Sequence, residues 1–273
     1  MYHIKNYLKH HVHNSISTII TKFSYNKSFK GYSKFFNRKI LNQFKENGFL
    51  VFPEAIPEDQ LKLIINEIPS FLSNNRLNDP NGISYKRESA EINKGYLTQA
   101  IIKFINNNNI YSLIENYMNS KFLITNLILK VNHPTKEKMG PSNFHKDTYK
   151  HKSVHMMIYL TDVDENSGCF TYIPESNKAD LHSFKPTPVN KRISDDQISK
   201  FYSKTEWLKG KAGTILLVDA NGLHAGPRWV DSNMNNLRSR TAVFINFSTL
   251  PLDKKLRNFF YKQSSTLQKI FTS

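Results

Sequence analysis

The chain has 273 residues, of which 39% are hydrophobic, so it can build one large domain with a sizeable core. Its 38 Lys and Arg residues outnumber 22 Asp and Glu but are scattered, so the net charge of +16 indicates a solvated basic surface, with an acidic substrate or partner as the alternative. The lone Cys169 excludes an intramolecular disulfide and a multi-cysteine zinc site, and no apolar run reaches the roughly 20 residues of a transmembrane helix, which predicts a cytoplasmic protein.

The N-terminal part of the chain is predicted to be a basic extension followed by helices. Residues 1–38 contain no acidic residue, so we expect either a frayed tail or an amphipathic surface helix ahead of a domain spanning 39–273. Helical spacing of apolar residues then recurs several times, with Gly48 as a stop for the first helix. The patterns predict a first helix within 40–50 that stops at Gly48, followed by a short buried strand over 49–52. Further helices are predicted over 57–72, 96–105 and 110–118.

After residue 120 the chain is rich in short apolar or alternating runs, each bounded by turn residues, as is typical of β-strands. A final helical pattern covers 253–271. Helices first and short strands afterwards favour a mainly β domain with flanking helices (α+β), whose core is a double-sheet jelly roll, or double-stranded β-helix. The predicted strands are 123–131, 154–161, 170–173, 214–218 and 241–247.

Three residues carry the chemical signal. His145 and Asp147 are separated by one residue, so on a strand their side chains point to the same face, and the distant His224 completes a triad. Two imidazoles and one carboxylate suit iron(II) and leave positions open for a bidentate keto acid and O₂. A His-x-Asp triplet alone is a weak signal, because the polar rim of a loop can also contain one.

Four phrases around these residues form a longer pattern: residues 41–53, His145-Lys-Asp147, Pro174-Glu-Ser-Asn-Lys178 and His224-Ala-Gly-Pro. With them, residues 39–250 resemble the phytanoyl-CoA dioxygenase family, a branch of the iron(II)- and 2-oxoglutarate-dependent oxygenases. The resemblance implies that His145, Asp147 and His224 hold Fe(II), with 2-oxoglutarate as co-substrate and O₂ as oxidant.

The resemblance also implies residues that bind the co-substrate. Arg240, two residues before Ala242, matches the arginine that binds the distal carboxylate of 2-oxoglutarate, and a planar, permanently charged fork suits that role. Arg238 shares its strand face and is the reserve candidate. Met157 and Asn126 are further candidates for co-substrate binding, with ordinary core and strand-end roles as the alternatives. His155 shares a strand face with Met157, so it either lines the cavity or fills the core.

The sequence departs from the family pattern at three positions that are not metal ligands. Asn177 replaces a histidine, Glu175 replaces a glycine, and Gly226 lacks a hydroxyl that some members place beside the metal. These departures leave the substrate open. Because Asp147 completes the ligand set and leaves no vacancy for a halide, the predicted reaction is hydroxylation of a small organic substrate, with release of succinate and CO₂, and not halogenation.

Basic residues near the predicted pocket favour an anionic substrate, such as an acyl thioester or a phosphorylated metabolite. Two alternatives stay open: an oxygenase that acts on nucleic acid, and a catalytically silent jelly-roll binding protein. The dispersed charge argues against a nucleic-acid partner, and the intact triad argues against the silent protein. The basic residues are Lys86, Arg87, Lys136, Lys138, Lys146, Lys150 and Lys152.

Overall fold

The computed structural model describes residues 37–74, 87–91, 95–135, 140–147, 152–178, 192–200, 203–230 and 233–249. Apart from Asn37 and Arg38, the predicted basic extension lies outside these residues, as does the predicted C-terminal helix. The division into 1–38 and 39–273 therefore stays a prediction. Within the described part of the chain, no helix is both long and apolar enough to cross a membrane.

The helices begin and end at side chains suited to those positions. The Asn37 side chain accepts a hydrogen bond from the backbone N–H of Lys39, which caps the first helix, and Gly48 ends it in the left-handed region at φ 80°. The Glu67 carboxylate accepts from the backbone N–H groups of Tyr96 and Leu97, so it ties the second helix to the start of the third. The helices are Arg38–Asn47 (α1), Glu58–Asn74 (α2), Gly95–Asn107 (α3), Ile110–Met118 (α4) and Asp195–Ser199 (α5).

The strands form two antiparallel sheets. A six-stranded sheet has the order β1-β7-β4-β9-β3-β2, and a three-stranded sheet has the order β6-β5-β8. Every predicted strand is present, within two residues at either end. The strands are Phe49–Phe52 (β1), Arg87–Glu91 (β2), Leu123–Asn132 (β3), Ser153–Tyr159 (β4), Cys169–Tyr172 (β5), Glu206–Leu208 (β6), Ile215–Asp219 (β7), His224–Arg228 (β8) and Arg240–Ser248 (β9).

The six-stranded sheet buries both of its faces, in different surroundings. One face packs on the helices: Leu129, Met156 and Val243 share a core with residues of α1 to α4. The other face, which carries Met157 and Tyr159, packs on the three-stranded sheet. Because neighbouring residues of a strand point to opposite faces, the strands read as continuous apolar runs. Two sheets with helices outside one of them confirm the predicted jelly roll with flanking helices.

Candidate metal centre

The two triad histidines are brought together by an antiparallel bridge between β8 and the segment before β4. The backbone N–H of His145 donates to the carbonyl of His224 over 2.9 Å, and the reverse bond measures 3.0 Å. Their ring centroids are 4.4 Å apart. The backbone N–H of Asp147 donates to the carbonyl of Ala220 over 3.0 Å, which holds the third member beside them. His145 thus pairs through a single bridge and Asp147 lies in a bend, so the two residues share one side without the regular strand that the same-face argument assumed.

Backbone carbonyls fix which ring nitrogen of each histidine carries the proton. Nδ1 of His145 lies 2.9 Å from the Asn143 carbonyl, and Nδ1 of His224 lies 3.0 Å from the Gly222 carbonyl. A carbonyl oxygen only accepts, so both Nδ1 atoms donate and both Nε2 lone pairs stay free. These Nε2 atoms lie 3.3 and 3.6 Å from Oδ1 of Asp147. Three acceptor atoms therefore converge within 4.8 Å of one another, which is the arrangement that a metal ion requires.

The protonation states also suit a metal. Burial, reinforced by the nearby His224, lowers the pKa of His145 to about 4, so its ring is neutral near pH 7. Burial alone raises the pKa of Asp147, but the nearby rings of His145, His155 and His224 hold it well below its usual value. Neutral imidazole and ionised carboxylate are the forms that bind metal, so no proton has to leave these two groups first.

The ring of His224 is also held from the three-stranded sheet. Phe170 of β5 stacks on it, with the ring centroids 5.3 Å apart and the planes 20° from parallel. A Cβ added at Gly226 would lie 3.0 Å from a ring carbon of Phe170. Gly226 lacks a hydroxyl, and it also leaves room for the Phe170 ring. A larger residue at this position would crowd the ring that packs on His224.

Arg240, the first residue of β9, is a buried charge with unused hydrogen-bonding groups. Only 1% of the residue is exposed. Its Nη2 donates to Oδ1 of Asn132 over 3.1 Å, whereas Nε and Nη1 are buried without a hydrogen-bond partner among the described residues. Leaving donors of a charged group unpaired costs free energy, so this environment suits an anion that accepts hydrogen bonds from the guanidinium. A carboxylate is such an anion.

Aromatic groups surround this guanidinium. The Tyr159 hydroxyl contacts the guanidinium of Arg240. The same hydroxyl donates to the carbonyl of Leu208 over 2.6 Å. The Phe244 ring centroid lies 5.6 Å from Cζ of Arg240 and 4.3 Å from Nζ of Lys130. Two cations therefore contact one ring on the inner face of the six-stranded sheet, and the face is positively charged there.

Met157 and Asn126 lie on this inner face. Met157 is fully buried in the core between the sheets, and its partners on the adjacent strands are Leu216 and Phe244. Asn126 is partly exposed and pairs with Asn246 of β9. Their binding of the co-substrate stays a prediction.

The other candidate basic residues have structural partners. The exposed Arg238 forms an ion pair with Asp164, away from the core. Lys146 Nζ donates to the carbonyl of Ser176 over 2.9 Å, and Lys152 Nζ donates to the carbonyl of Met118 over 2.6 Å. These two lysines are therefore engaged by the backbone. The structure describes no side chain for the other five predicted pocket residues, Lys86, Arg87, Lys136, Lys138 and Lys150.

A third histidine, His155, contacts the triad. The sequence alone did not predict this contact. Nε2 of His155 lies 3.1 Å from Oδ2 of Asp147. Burial lowers the pKa of His155 to about 4, against the raising effect of the Asp147 charge. Strand parity correctly placed His155 on the inner face, but the contact depends on how the segment carrying Asp147 folds over β4.

A family model described as phytanoyl-CoA dioxygenase (PhyH) matches residues 44–230. The chain belongs to this family, whose members are iron(II)- and 2-oxoglutarate-dependent oxygenases that use O₂. The family predicted from the sequence phrases is thereby confirmed. No curated protein sequence matches the chain.

Several solved structures have a similar fold. The epimerase SnoN, in complex with Fe³⁺, alpha ketoglutarate and nogalamycin RO, has a TM-score of 0.55 and 14% identity, covering 77% of this chain and 82% of its own. The carbocyclase SnoK from nogalamycin biosynthesis has a TM-score of 0.54 and 14% identity, covering 78% and 84%. HygX from Streptomyces hygroscopicus, with nickel, 2-oxoglutarate and hygromycin B bound, has a TM-score of 0.53 and 13% identity, covering 81% and 94%. At these identities the likeness shows the fold.

Proposed function

We propose that this chain is an iron(II)- and 2-oxoglutarate-dependent dioxygenase that hydroxylates a small organic substrate, with release of succinate and CO₂. The observation that carries the proposal is the pairing of two features inside one jelly roll. One is the convergence of three metal-binding atoms, and the other is a buried arginine with two unpaired donors. The small molecules bound by SnoN and HygX support a small-molecule substrate.

The protein atoms that would hold Fe(II) are Nε2 of His145, Nε2 of His224 and Oδ1 of Asp147. With only three protein donors, such a metal ion would have positions open for a bidentate keto acid and O₂. With these bound, the iron supplies oxidative decarboxylation of the keto acid and oxidation of a substrate C–H bond. The histidines contribute neutral nitrogen ligands whose orientation is fixed by the Asn143 and Gly222 carbonyls.

Arg240 would bind the distal carboxylate of 2-oxoglutarate. Nε and Nη1 have no partner among the described residues, and Nη2 bonds to Asn132 through only one of its two N–H groups, so a fork made by Nη2 with Nε or with Nη1 is available to a carboxylate. In this buried position a charge-assisted bond is stronger than in water, and a two-point contact orients the keto acid end. Tyr159 and Phe244 exclude water from around the guanidinium. Arg240 therefore determines the position of the co-substrate without taking part in the chemistry.

The test is an anaerobic titration of the purified protein with Fe(II) and 2-oxoglutarate, followed by the weak visible charge-transfer absorption of the chelate. We expect the band in the wild type, its loss in Asp147→Ala, and a higher 2-oxoglutarate requirement in Arg240→Ala. Arg238→Ala is the matched control, because this arginine lies two residues away but is exposed. A wild type that binds neither iron nor 2-oxoglutarate would overturn the proposal in favour of a silent binding protein.

Product mass tests the hydroxylation itself. SnoN is described as an epimerase and SnoK as a carbocyclase, so oxygenases of this fold reach more than one outcome. When a substrate is found, a product with one added oxygen atom per succinate supports hydroxylation. A product of unchanged mass would point to epimerisation, and a loss of two hydrogens would point to ring closure.

A further inference from the structure

The two oxygens of the Asp147 carboxylate have different partners. Oδ1 faces Nε2 of His145 and Nε2 of His224, which are the proposed iron ligands. Oδ2 faces Nε2 of His155 at 3.1 Å. The His155 side chain is only 12% exposed, and β4 holds it between Val218 of β7 and Asn246 of β9. A buried side chain on a central strand therefore reaches the oxygen that the triad does not use.

The chemistry of this contact determines the direction of the hydrogen bond. A carboxylate that binds a metal ion is ionised and can only accept, so at 3.1 Å Nε2 of His155 must donate to Oδ2. The proton of the neutral His155 ring then sits on Nε2, opposite to the ligand histidines, whose protons sit on Nδ1. An Nε2 that carries a proton has no lone pair for a metal. His155 is thus not a fourth ligand through the atom that faces the site.

A hydrogen bond from His155 to Oδ2 of Asp147 would affect how many coordination positions of the iron stay open. If both oxygens of Asp147 bound the iron, the protein would supply four donor atoms, leaving room for the keto acid but none for O₂. If the carboxylate rotated freely, the iron would be held less tightly. A hydrogen bond to Oδ2 opposes both outcomes, since it directs Oδ1 alone towards the metal.

We infer that His155 is a positioning residue of the iron centre: its Nε2–H binds Oδ2 of Asp147, keeps this ligand monodentate and preserves the position for O₂. The inference deepens the proposed function and rests on it. His155 acts through Asp147 and contacts neither of the proposed ligand histidines through a hydrogen bond.

The experiment compares three variants with the wild type in anaerobic Fe(II) titrations. His155→Leu removes the donor, His155→Gln retains an N–H donor on a side chain of similar reach, and Ser153→Ala is the matched control. Ser153 is a buried polar residue of the same strand, and its hydroxyl lies 3.1 Å from the Ser248 hydroxyl, with no described side-chain contact to the triad. His155→Met, which also lacks the donor, replaces the leucine variant if that protein does not fold.

We expect His155→Leu to bind Fe(II) about 10- to 100-fold more weakly than the wild type, as for other hydrogen-bond partners of metal ligands. His155→Gln should recover most of the affinity and Ser153→Ala should lose none. Nitric oxide is a probe of the position for O₂, and its paramagnetic resonance signal with Fe(II) and 2-oxoglutarate should fall in His155→Leu and return in His155→Gln.

Wild-type affinity and an unchanged nitric oxide signal in His155→Leu would overturn the inference, as would equal losses in the leucine and glutamine variants. In both cases the wild type still binds iron, so the proposed function survives. A wild type that binds no Fe(II) would remove the proposed function, and the inference with it.

Discussion

Two buried arginines on neighbouring parts of the jelly roll have opposite surroundings. Arg228, at the end of β8, is 7% exposed, and its Nη2 donates to Oδ2 of Asp195 over 2.6 Å. Arg240, at the start of β9, has no carboxylate among the groups that affect its pKa, and Asn132, which accepts from its Nη2, is neutral. Both guanidinium groups lie near aromatic rings, Phe144 in the first case and Phe244 in the second.

The difference separates a charge that is balanced within the protein from one that is available to a ligand, and it supports the proposed role of Arg240. The pair of Arg228 and Asp195 fastens α5 to the three-stranded sheet, next to the bridge between Phe144 and Ile193. Its charge is balanced within the protein. The charge of Arg240 is not balanced by a described residue, and a buried unpaired charge is costly. Burial alone therefore does not favour a binding role for an arginine, whereas burial without a counter-charge does.

The largest expected effect is on co-substrate binding by Arg240. In Arg240→Ala the affinity for 2-oxoglutarate should fall by about 100-fold or more, because two charge-assisted hydrogen bonds are lost at about 1.5–3 kcal/mol each. Anaerobic titration of the charge-transfer band measures this loss. Arg240→Lys should recover only part of the affinity, since an ammonium group lacks the planar fork. Equal affinity in Arg240→Ala and the wild type would mean that the distal carboxylate binds elsewhere.

The second-largest expected effect is the stabilisation of the folded protein by 2-oxoglutarate. At a 2-oxoglutarate concentration of 100 times the dissociation constant, with Fe(II) present, the free energy of unfolding should rise by about 2.7 kcal/mol. Denaturant unfolding under nitrogen measures it. A metal chelator should remove most of the gain, because the keto acid end loses its metal. Arg240→Ala should show little gain at the same concentration, and a full gain there would contradict the assignment.

Removing the partner of Arg228 should have the opposite pattern of effects, with a loss of stability and no loss of 2-oxoglutarate binding. Asp195→Ala leaves the Arg228 charge without its partner, so the free energy of unfolding should fall by about 1–2 kcal/mol, a value reduced because Asp195 is partly exposed. The affinity for 2-oxoglutarate per folded molecule should stay at the wild-type value. Loss of co-substrate binding without loss of stability would show that this pair belongs to the site and would remove the contrast with Arg240.

The smallest expected effect is at the surface. Arg238→Ala breaks an exposed ion pair with Asp164, and such pairs contribute little, so the free energy of unfolding should change by less than about 0.5 kcal/mol. The 2-oxoglutarate affinity should be unchanged. A 10-fold loss of affinity in this variant would indicate that Arg238, the reserve candidate from the sequence, contributes to binding.

Local patterns of the sequence predicted most of the fold. Turn residues and continuous apolar runs marked the five strands predicted after residue 120, and Gly48 marked the end of α1. The pattern missed β2, whose only apolar residue is Ala90, β6, which has three residues, and β8, whose Gly226 and Pro227 are atypical of a strand. It also missed α5, which has five residues. Periodicity depends on side chains repeated along one segment, so short or interrupted elements escape it.

The candidate site divides in the same way. The sequence by itself determined the ligand types, the spacing of His145 and Asp147, and an arginine at the start of the last strand, because these are properties of single segments. Only the tertiary structure decided that His155 reaches Oδ2 of Asp147, that Arg228 has a counter-charge and Arg240 has none, and that Lys146 and Lys152 bind backbone carbonyls. Each of these contacts joins two different segments of the chain, and the folding of the loops and the packing of the sheets decide which segments come within hydrogen-bonding distance.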